Sequence, residues 1–131
     1  MDIEALRNHC IRKAGVTEEF PFDEVTLVFK VMGKMFVLTP LDAALPQFAF
    51  KCEPDLAIEL RENYAAVSPA FHMNKTHWNS ALMDGSVPDQ LLKSWIDHSY
   101  DQVVKGLPKK VQAELLGTAV PSAPKIRKPT A

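Results

Sequence analysis

The strongest constraint on the fold is a pair of strand-like runs separated by two residues. Residues 25–32 and 35–39 are both rich in the β-branched and aromatic side chains that favour strands. Gly33 and Lys34 lie between them, and glycine at the first of two loop positions is typical of a type II′ turn. The chain is therefore expected to fold around an antiparallel hairpin.

The predicted turn also sets the pairing of the two strands. It places Met32 opposite Met35 and Val31 opposite Phe36. Because successive strand side chains point to opposite faces, this register predicts one apolar face and one mixed, half-exposed face. The apolar face holds Leu27, Phe29, Val31, Phe36 and Leu38, and the mixed face holds Thr26, Val28, Lys30, Met32, Met35, Val37 and Thr39.

The rest of the chain divides into helices and further strands. A third strand over residues 47–52 adds Phe48 and Phe50 to the apolar face and Lys51 to the mixed face. Apolar side chains in adjacent pairs every four residues predict a long helix from about residue 88 to 107. In chain order, the predicted elements are a helix over 2–14, three strands, a helix from Pro54 to about Asn63, a hairpin over 71–83 that turns at Asn74-Lys75, the long helix, and a short helix that ends at Gly117.

This order predicts an α+β fold. No βαβ alternation occurs, so the simplest architecture is an antiparallel sheet of about five strands with helices packed on one face, in the order α-β-β-β-α-β-β-α-α. The 131 residues fit one domain over residues 1–117. We expect residues 118–131, which are Pro-rich and basic, to form a flexible tail.

The net charge of −1 hides an asymmetry between the domain and the tail. Three of the 15 basic residues and none of the 16 acidic residues lie after Gly117, so the domain carries 12 basic against 16 acidic residues. A surface with that balance is a poor general binder of polyanions. Nucleic-acid binding would have to depend on a local basic patch or on the tail.

Several function classes are disfavoured by what the sequence lacks. Cys10 and Cys52 are too far apart for a CxxC pair, and neither GxSxG, HExxH nor a Gly-rich phosphate loop occurs. No segment approaches the roughly 20 apolar residues that cross a bilayer, and the N-terminus does not resemble a signal peptide. We therefore expect a cytoplasmic protein that is not an enzyme and that requires no cofactor.

The segment from His72 to Asn79 has the densest cluster of side chains suited to binding. Lys75 could contact a phosphate, Trp78 could stack on a base, and the amides of Asn74 and Asn79 could hydrogen-bond to base edges. The alternative is a hairpin whose tryptophan is in the core and whose polar groups bond to the local backbone. His72 and His77 have the outer spacing of half a zinc site, but the other half is absent, so no metal is expected.

Five further lysines are candidates for a basic surface. Lys30, Lys34 and Lys51 could share one sheet face, although lysines on exposed strands are also common as protection against edge pairing. Lys109 and Lys110 fall in the first turn of the last helix, where positive charge opposes the helix dipole. They could hold a phosphate with the free backbone N–H groups, or be ordinary surface residues.

Six blocks of this sequence form a recognisable pattern. They are residues 15–23 (GVTEEFPFD), 28–31 with 33–36 (VFKV and GKMF), 51–54 (KCEP), 72–75 with 77–79 (HMNK and HWN), 97–101 (DHSYD) and 107–110 (LPKK). In this order the blocks resemble the YjbR/MmcQ family of small bacterial proteins. That resemblance implies a fold similar to the bacterial frataxin CyaY, and DNA binding through two hairpin wings. Ala70-Phe71 departs from the Gly-aromatic pair that the family has before His72.

Together these observations predict a non-enzymatic binding protein, with DNA as the ligand that the resemblance implies. The alternative is a module that binds a small molecule or a protein on the half-exposed sheet face. The candidate nucleic-acid contacts are Asn74, Lys75, His77, Trp78 and Asn79, then Lys30, Lys34, Lys51, Lys109 and Lys110.

Overall fold

The computed structural model describes residues 1–70 and 73–119. These residues form four helices and six strands. The helices are α1 (Ile3–Ile11), α2 (Pro54–Asn63), α3 (Asp89–Lys105) and α4 (Lys109–Ala119), and the strands are β1 (Val16–Glu19), β2 (Thr26–Val31), β3 (Lys34–Pro40), β4 (Gln47–Lys51), β5 (Val67–Pro69) and β6 (Trp78–Leu82).

The strands form one antiparallel sheet in the order β1-β2-β3-β4-β6-β5. The described helices pack on one face of it, and their apolar stripes build the main core with the phenylalanines of β2, β3 and β4. The helical side of this core contains Leu6, Cys10, Ala57, Leu60, Leu92, Trp95, Ile96, Val103 and Leu115. The predicted α+β class with helices on one face is therefore confirmed.

The sheet has one strand more than we predicted. Val16–Glu19 pairs with β2, with Val16 opposite Val31 and Glu19 opposite Val28. Only Val16 in this strand is apolar, so its sequence lacks the alternation that identifies a half-buried strand. This strand is therefore recognised by its pairing with β2 and not by its own sequence.

The turn between β2 and β3 is one residue earlier than predicted. Met32 and Gly33 both have positive φ, of 49° and 85°, and Val31 pairs with Lys34. Two left-handed residues in the loop are the pattern of a type I′ turn, so the predicted II′ register was wrong. Met32 is kept in this unfavourable conformation by tertiary contacts, since its N–H donates to Gly15 O at 3.1 Å and its side chain packs against the core.

A β-bulge changes the faces of β3. Phe29 pairs with Val37 and Lys30 with Met35, which leaves Phe36 as an extra residue on β3. Val37 therefore joins Phe36 in the main core, and Leu38 points to the opposite face. The predicted faces were correct for β2 and β4 but wrong for Leu38, Val37 and Thr39, and also for Met32 in the turn.

The second hairpin is also displaced from its predicted position. Its first strand is β5, which includes Ser68 and Pro69, and Ser68 pairs with Ser80 of β6. Pro69 is tolerated in this strand because β5 lies at the edge of the sheet. The long helix α3 is confirmed. Helix α4 continues past Gly117 to Ala119, and residues 120–131 of the predicted tail lie outside the described part.

Candidate binding groove and basic cleft

The sheet face opposite the helices carries a groove of roughly 590 Å³. Its floor comes from β3, β4 and β6, and its two walls come from the loop before β2 and the loop before β6. Among the described residues, no helix contributes to its lining. The groove is lined by Phe22, Asp23, Thr26, Met35, Leu38, Pro40, Gln47, Phe48, Ala49, Ala70, Met73, Asn74 and Ser80.

The first wall is ordered by one carboxylate. Asp23 accepts hydrogen bonds from the N–H groups of Val25 and Thr26 at 3.0 and 2.7 Å, and from the Thr26 hydroxyl at 3.1 Å. These bonds, those from the backbone N–H groups first, lower the pKa of Asp23. They also fix Phe22, which is 67 % exposed, at the groove rim.

The second wall is anchored to the sheet and to α2. Met73 packs with Ala70 and Trp78 in a small apolar cluster that also contains Ala49, Met35 and Leu38. Asn74 accepts from the N–H of Thr76 at 2.9 Å, which closes the turn beneath this wall. Arg61 of α2 donates to the backbone oxygen of Lys75 and so ties the turn to the helix layer.

The floor of the groove contains small side chains and has low polarity. Ala49 and Ser80 face each other on β4 and β6, and neither fills the space above the sheet. Of the described lining residues, Asp23 is the only charged one, and its oxygens are engaged in the turn. The groove is therefore suited to an apolar group with few polar contacts.

A second, smaller cleft of roughly 290 Å³ lies at the end of the sheet near the β2–β3 turn. Lys34 and Lys51 both line it, beside Trp78, and the C-terminal end of α3 closes it with Gly106 and Leu107. Met35 lines both cavities. Within residues 1–70 and 73–119, neither lysine has a carboxylate partner.

Two of the predicted contacts are not available to a ligand as we had proposed. Asn79 is fully buried on the helix side of the sheet, where its amide accepts from Arg61 Nε at 2.6 Å and donates to Ala57 O at 3.0 Å. Trp78 is 9 % exposed, and its ring is part of the small apolar cluster. Its burial rules out the predicted open stacking platform, although one edge reaches the basic cleft.

The predicted basic surface is also smaller than expected. Lys30 is paired with Glu19 of the neighbouring strand at 3.1 Å, because Glu19 lies opposite Val28, two residues from Lys30 on the same face. Of these three lysines, Lys34 and Lys51 both line the basic cleft. Lys75, Lys109 and Lys110 are exposed.

The histidines and cysteines do not form a reactive centre in the described residues. His77 is half-buried, and its backbone oxygen accepts from the Cys52 N–H at 2.6 Å, whereas His72 lies outside the described part. Burial raises the pKa of the Cys10 thiol to about 12 and that of Cys52 to about 11, which disfavours the nucleophilic thiolate. No group of three metal-ligating side chains occurs among residues 1–70 and 73–119.

The half-exposed sheet face was predicted as an alternative binding surface, but the groove on it was not. The candidate residues named from the sequence are mainly polar and basic, whereas the groove depends on apolar residues from distant segments, such as Phe22, Leu38 and Met73. One usable signal was present: Ala49 is a small residue on a strand whose other face carries the buried Phe48 and Phe50. Small side chains on a sheet face leave room above it.

Comparison with known proteins gives the family of the chain. The family model described as YjbR matches residues 11–102. The Escherichia coli K12 protein YjbR is 33 % identical over 110 residues, covering 84 % of this chain and 93 % of its own. YbdF of Escherichia coli O157:H7 is 33 % identical over 93 residues, covering 71 % of this chain and 76 % of its own.

None of the described helices is long and apolar enough to traverse a lipid bilayer.

Solved structures agree with this assignment. A crystal structure of a Deinococcus radiodurans protein with a DUF419 domain superimposes with a TM-score of 0.82 at 36 % identity, covering 87 % of both chains. A Pseudomonas syringae protein has the same fold, with a TM-score of 0.68 at 22 % identity over 78 % of this chain and 98 % of its own. The family model and the relatives each cover more than two thirds of the chain, and the chain belongs to the YjbR family.

Proposed function

We propose that this protein is a non-enzymatic, cytoplasmic binding protein and that its ligand is a largely apolar small molecule held in the groove. The single observation that carries the proposal is the groove itself: a cavity of roughly 590 Å³ with an apolar floor on a sheet face that no described helix covers. Cavities of this size and lining are the usual sites for small ligands.

The lining residues support binding more directly than catalysis. Asp23 is engaged by three local hydrogen bonds, and the other polar lining groups of the described chain are the uncharged side chains of Thr26, Gln47, Asn74 and Ser80. Apart from Asp23, whose oxygens hold the loop before β2, the described lining contains no side chain that commonly serves as a general base or metal ligand. Apolar contact with Met35, Leu38 and Met73 would then provide most of the binding free energy.

Methionine methyl groups provide a direct test. Met35 and Met73 line the groove, whereas Met1, Met32 and Met83 pack against the main core. In a protein labelled with ¹³C-methyl methionine, titration with the apolar probe N-phenylnaphthylamine should shift the Met35 and Met73 signals and leave the other three unchanged. Shifts at all five methyls, or at none, would contradict a ligand site in the groove.

A filling substitution gives the matched control. Ser80→Leu places a larger side chain on the groove floor and should raise the Kd of the probe by about tenfold, a loss of about 1.4 kcal/mol. Ser68→Leu adds the same side chain on the adjacent strand, directly opposite Ser80 but outside the groove lining. It should leave the Kd unchanged. If the two variants bind the probe equally well, the groove is not the binding site.

DNA binding is the second candidate. It is favoured by one observation, the convergence of Lys34 and Lys51 on the basic cleft, with Lys109 and Lys110 exposed two and three residues after Leu107. If these lysines contact phosphates, duplex DNA binding measured by fluorescence anisotropy should weaken with salt, with a log–log slope of about 0.9 per contact. Deletion of residues 118–131 separates the tail from the cleft. No saturable binding at low salt would exclude this candidate.

A further inference from the structure

The geometry points to an amphipathic anion as the ligand of the groove, with its apolar body on the sheet and its anionic head group held between Lys34 and Lys51. This inference rests on the proposed function, because it specifies the ligand of the same groove. It depends on three features of the described residues: the lining shared by groove and basic cleft, the lack of a carboxylate partner for either lysine, and the position of Asp23, the charged residue of the groove lining.

The groove and the basic cleft adjoin each other. Met35 lines both cavities, and Trp78 belongs both to the cleft and to the apolar cluster under the groove. Lys51 lies two residues beyond Ala49 on the same face of β4, a separation of about 7 Å along the strand. A ligand lying above Ala49 therefore reaches the Lys51 side chain without crossing another element.

The two lysines have no competing partners in the described part of the chain. The basic cleft has no carboxylate in its lining, and the Glu53 side chain next to β4 is used to cap α2, where it accepts from the N–H groups of Asp55 and Leu56. Lysines near a helix end often bond to its last carbonyls. At the end of α3 these carbonyl oxygens already have other donors. The oxygens of Val103 and Val104 accept from backbone N–H groups, and the oxygens of Lys105 and Leu107 accept from the Gln112 side chain.

The charged side chains at the two ends of the groove would orient such a ligand. Asp23 lies at the far end of the groove, beside the first residue of β2, whereas Lys34 lies beyond the last residue of β2. Lys34 and Pro40 are six positions apart along β3, which separates these ends by about 20 Å. A negative head group would be repelled at the Asp23 end and attracted at the lysine end.

A pair of nearly isosteric probes tests this inference. Anilinonaphthalene sulfonate differs from N-phenylnaphthylamine mainly by one negative charge. At low salt, the sulfonate should bind about tenfold more tightly than the neutral probe, and this preference should fall as salt screens the lysines. Both probes should shift the methyl signals of Met35 and Met73.

Charge-removing variants assign the preference to the cleft. In the Lys34→Gln/Lys51→Gln double variant, the sulfonate should lose its advantage while the neutral probe binds as before. Lys93→Gln removes a lysine from α3 that lines neither cavity, and it should retain the preference. Equal affinity of the two probes for the unmodified protein, or a preference that survives in the double variant, would overturn the inference while leaving the groove as a binding site. Failure of both probes to shift Met35 and Met73 would overturn the proposed function as well.

Discussion

At the scale of single residues, Asn79 shows how a side chain suited to binding can instead stabilise the fold. Its amide joins β6 to α2 by accepting from Arg61 and donating to Ala57 O, with no exposure to solvent. Replacing it leaves both partners without their bonds, so Asn79→Ala should lower the free energy of unfolding by about 1–3 kcal/mol in urea titrations. The matched control is Asn63→Ala at the exposed end of α2, which should change it by less than about 0.5 kcal/mol. An Asn79→Ala protein as stable as the control would refute this role.

At the scale of elements, the β2–β3 turn sets the register of the central hairpin. Gly33 has a φ of 85°, and a Cβ at that position would meet no atom within 4 Å. The cost of Gly33→Ala is therefore conformational, and we expect about 1 kcal/mol of lost stability in thermal or urea unfolding. Gly117→Ala also places its Cβ in open space, but within helix α4, where alanine is preferred. It should not destabilise the protein. Equal effects of the two substitutions would contradict the positive-φ turn.

At the scale of the whole molecule, acid should loosen the attachment of α3 to its neighbours in two steps. Burial lowers the pKa of His98, although the charges of Asp101 and Glu53 partly raise it, and its Nε2 accepts from the Glu53 N–H at 3.1 Å. For Asp97, burial raises the pKa, but hydrogen bonds from Lys13 and His9 outweigh that effect and lower it.

Both pKa shifts make the folded protein less stable as the pH falls. A depressed His98 pKa gives stability that is fully present above the unfolded value of about 6.5 and is lost as pH falls through the folded pKa. The Asp97 contribution is present above its unfolded value of about 3.9 and is lost below it. Urea midpoints measured from pH 7.5 downward should therefore begin to fall near pH 6.5 and fall further near pH 4. His98→Asn should remove the first step and His77→Asn should not; an unchanged first step in His98→Asn would exclude His98 as its cause.

The elements and their order could be predicted from the sequence because their signals are local. Alternation in β2 and β4 and the four-residue recurrence in α3 placed Phe29, Phe50 and Ile96 in the core, where they are fully buried. The side-chain period of two or 3.6 residues depends only on the backbone of that element. A basic surface at Lys34 and Lys51 could be raised from the sequence as a possibility, but their convergence could not, because it depends on the pairing of Lys34 with Val31 and on the end of α3.

Tertiary structure alone decided the turn, the bulge and the groove. Met32 occupies a left-handed turn position because Gly15 bonds to it, and Lys30 is neutralised by Glu19 on a strand that its own sequence does not indicate. The groove joins Phe22 to Met73, which are distant along the chain, over a floor whose width depends on the register of β4 with β6. Contacts of this kind depend on which residues the fold brings together, and no periodicity within a single segment encodes them.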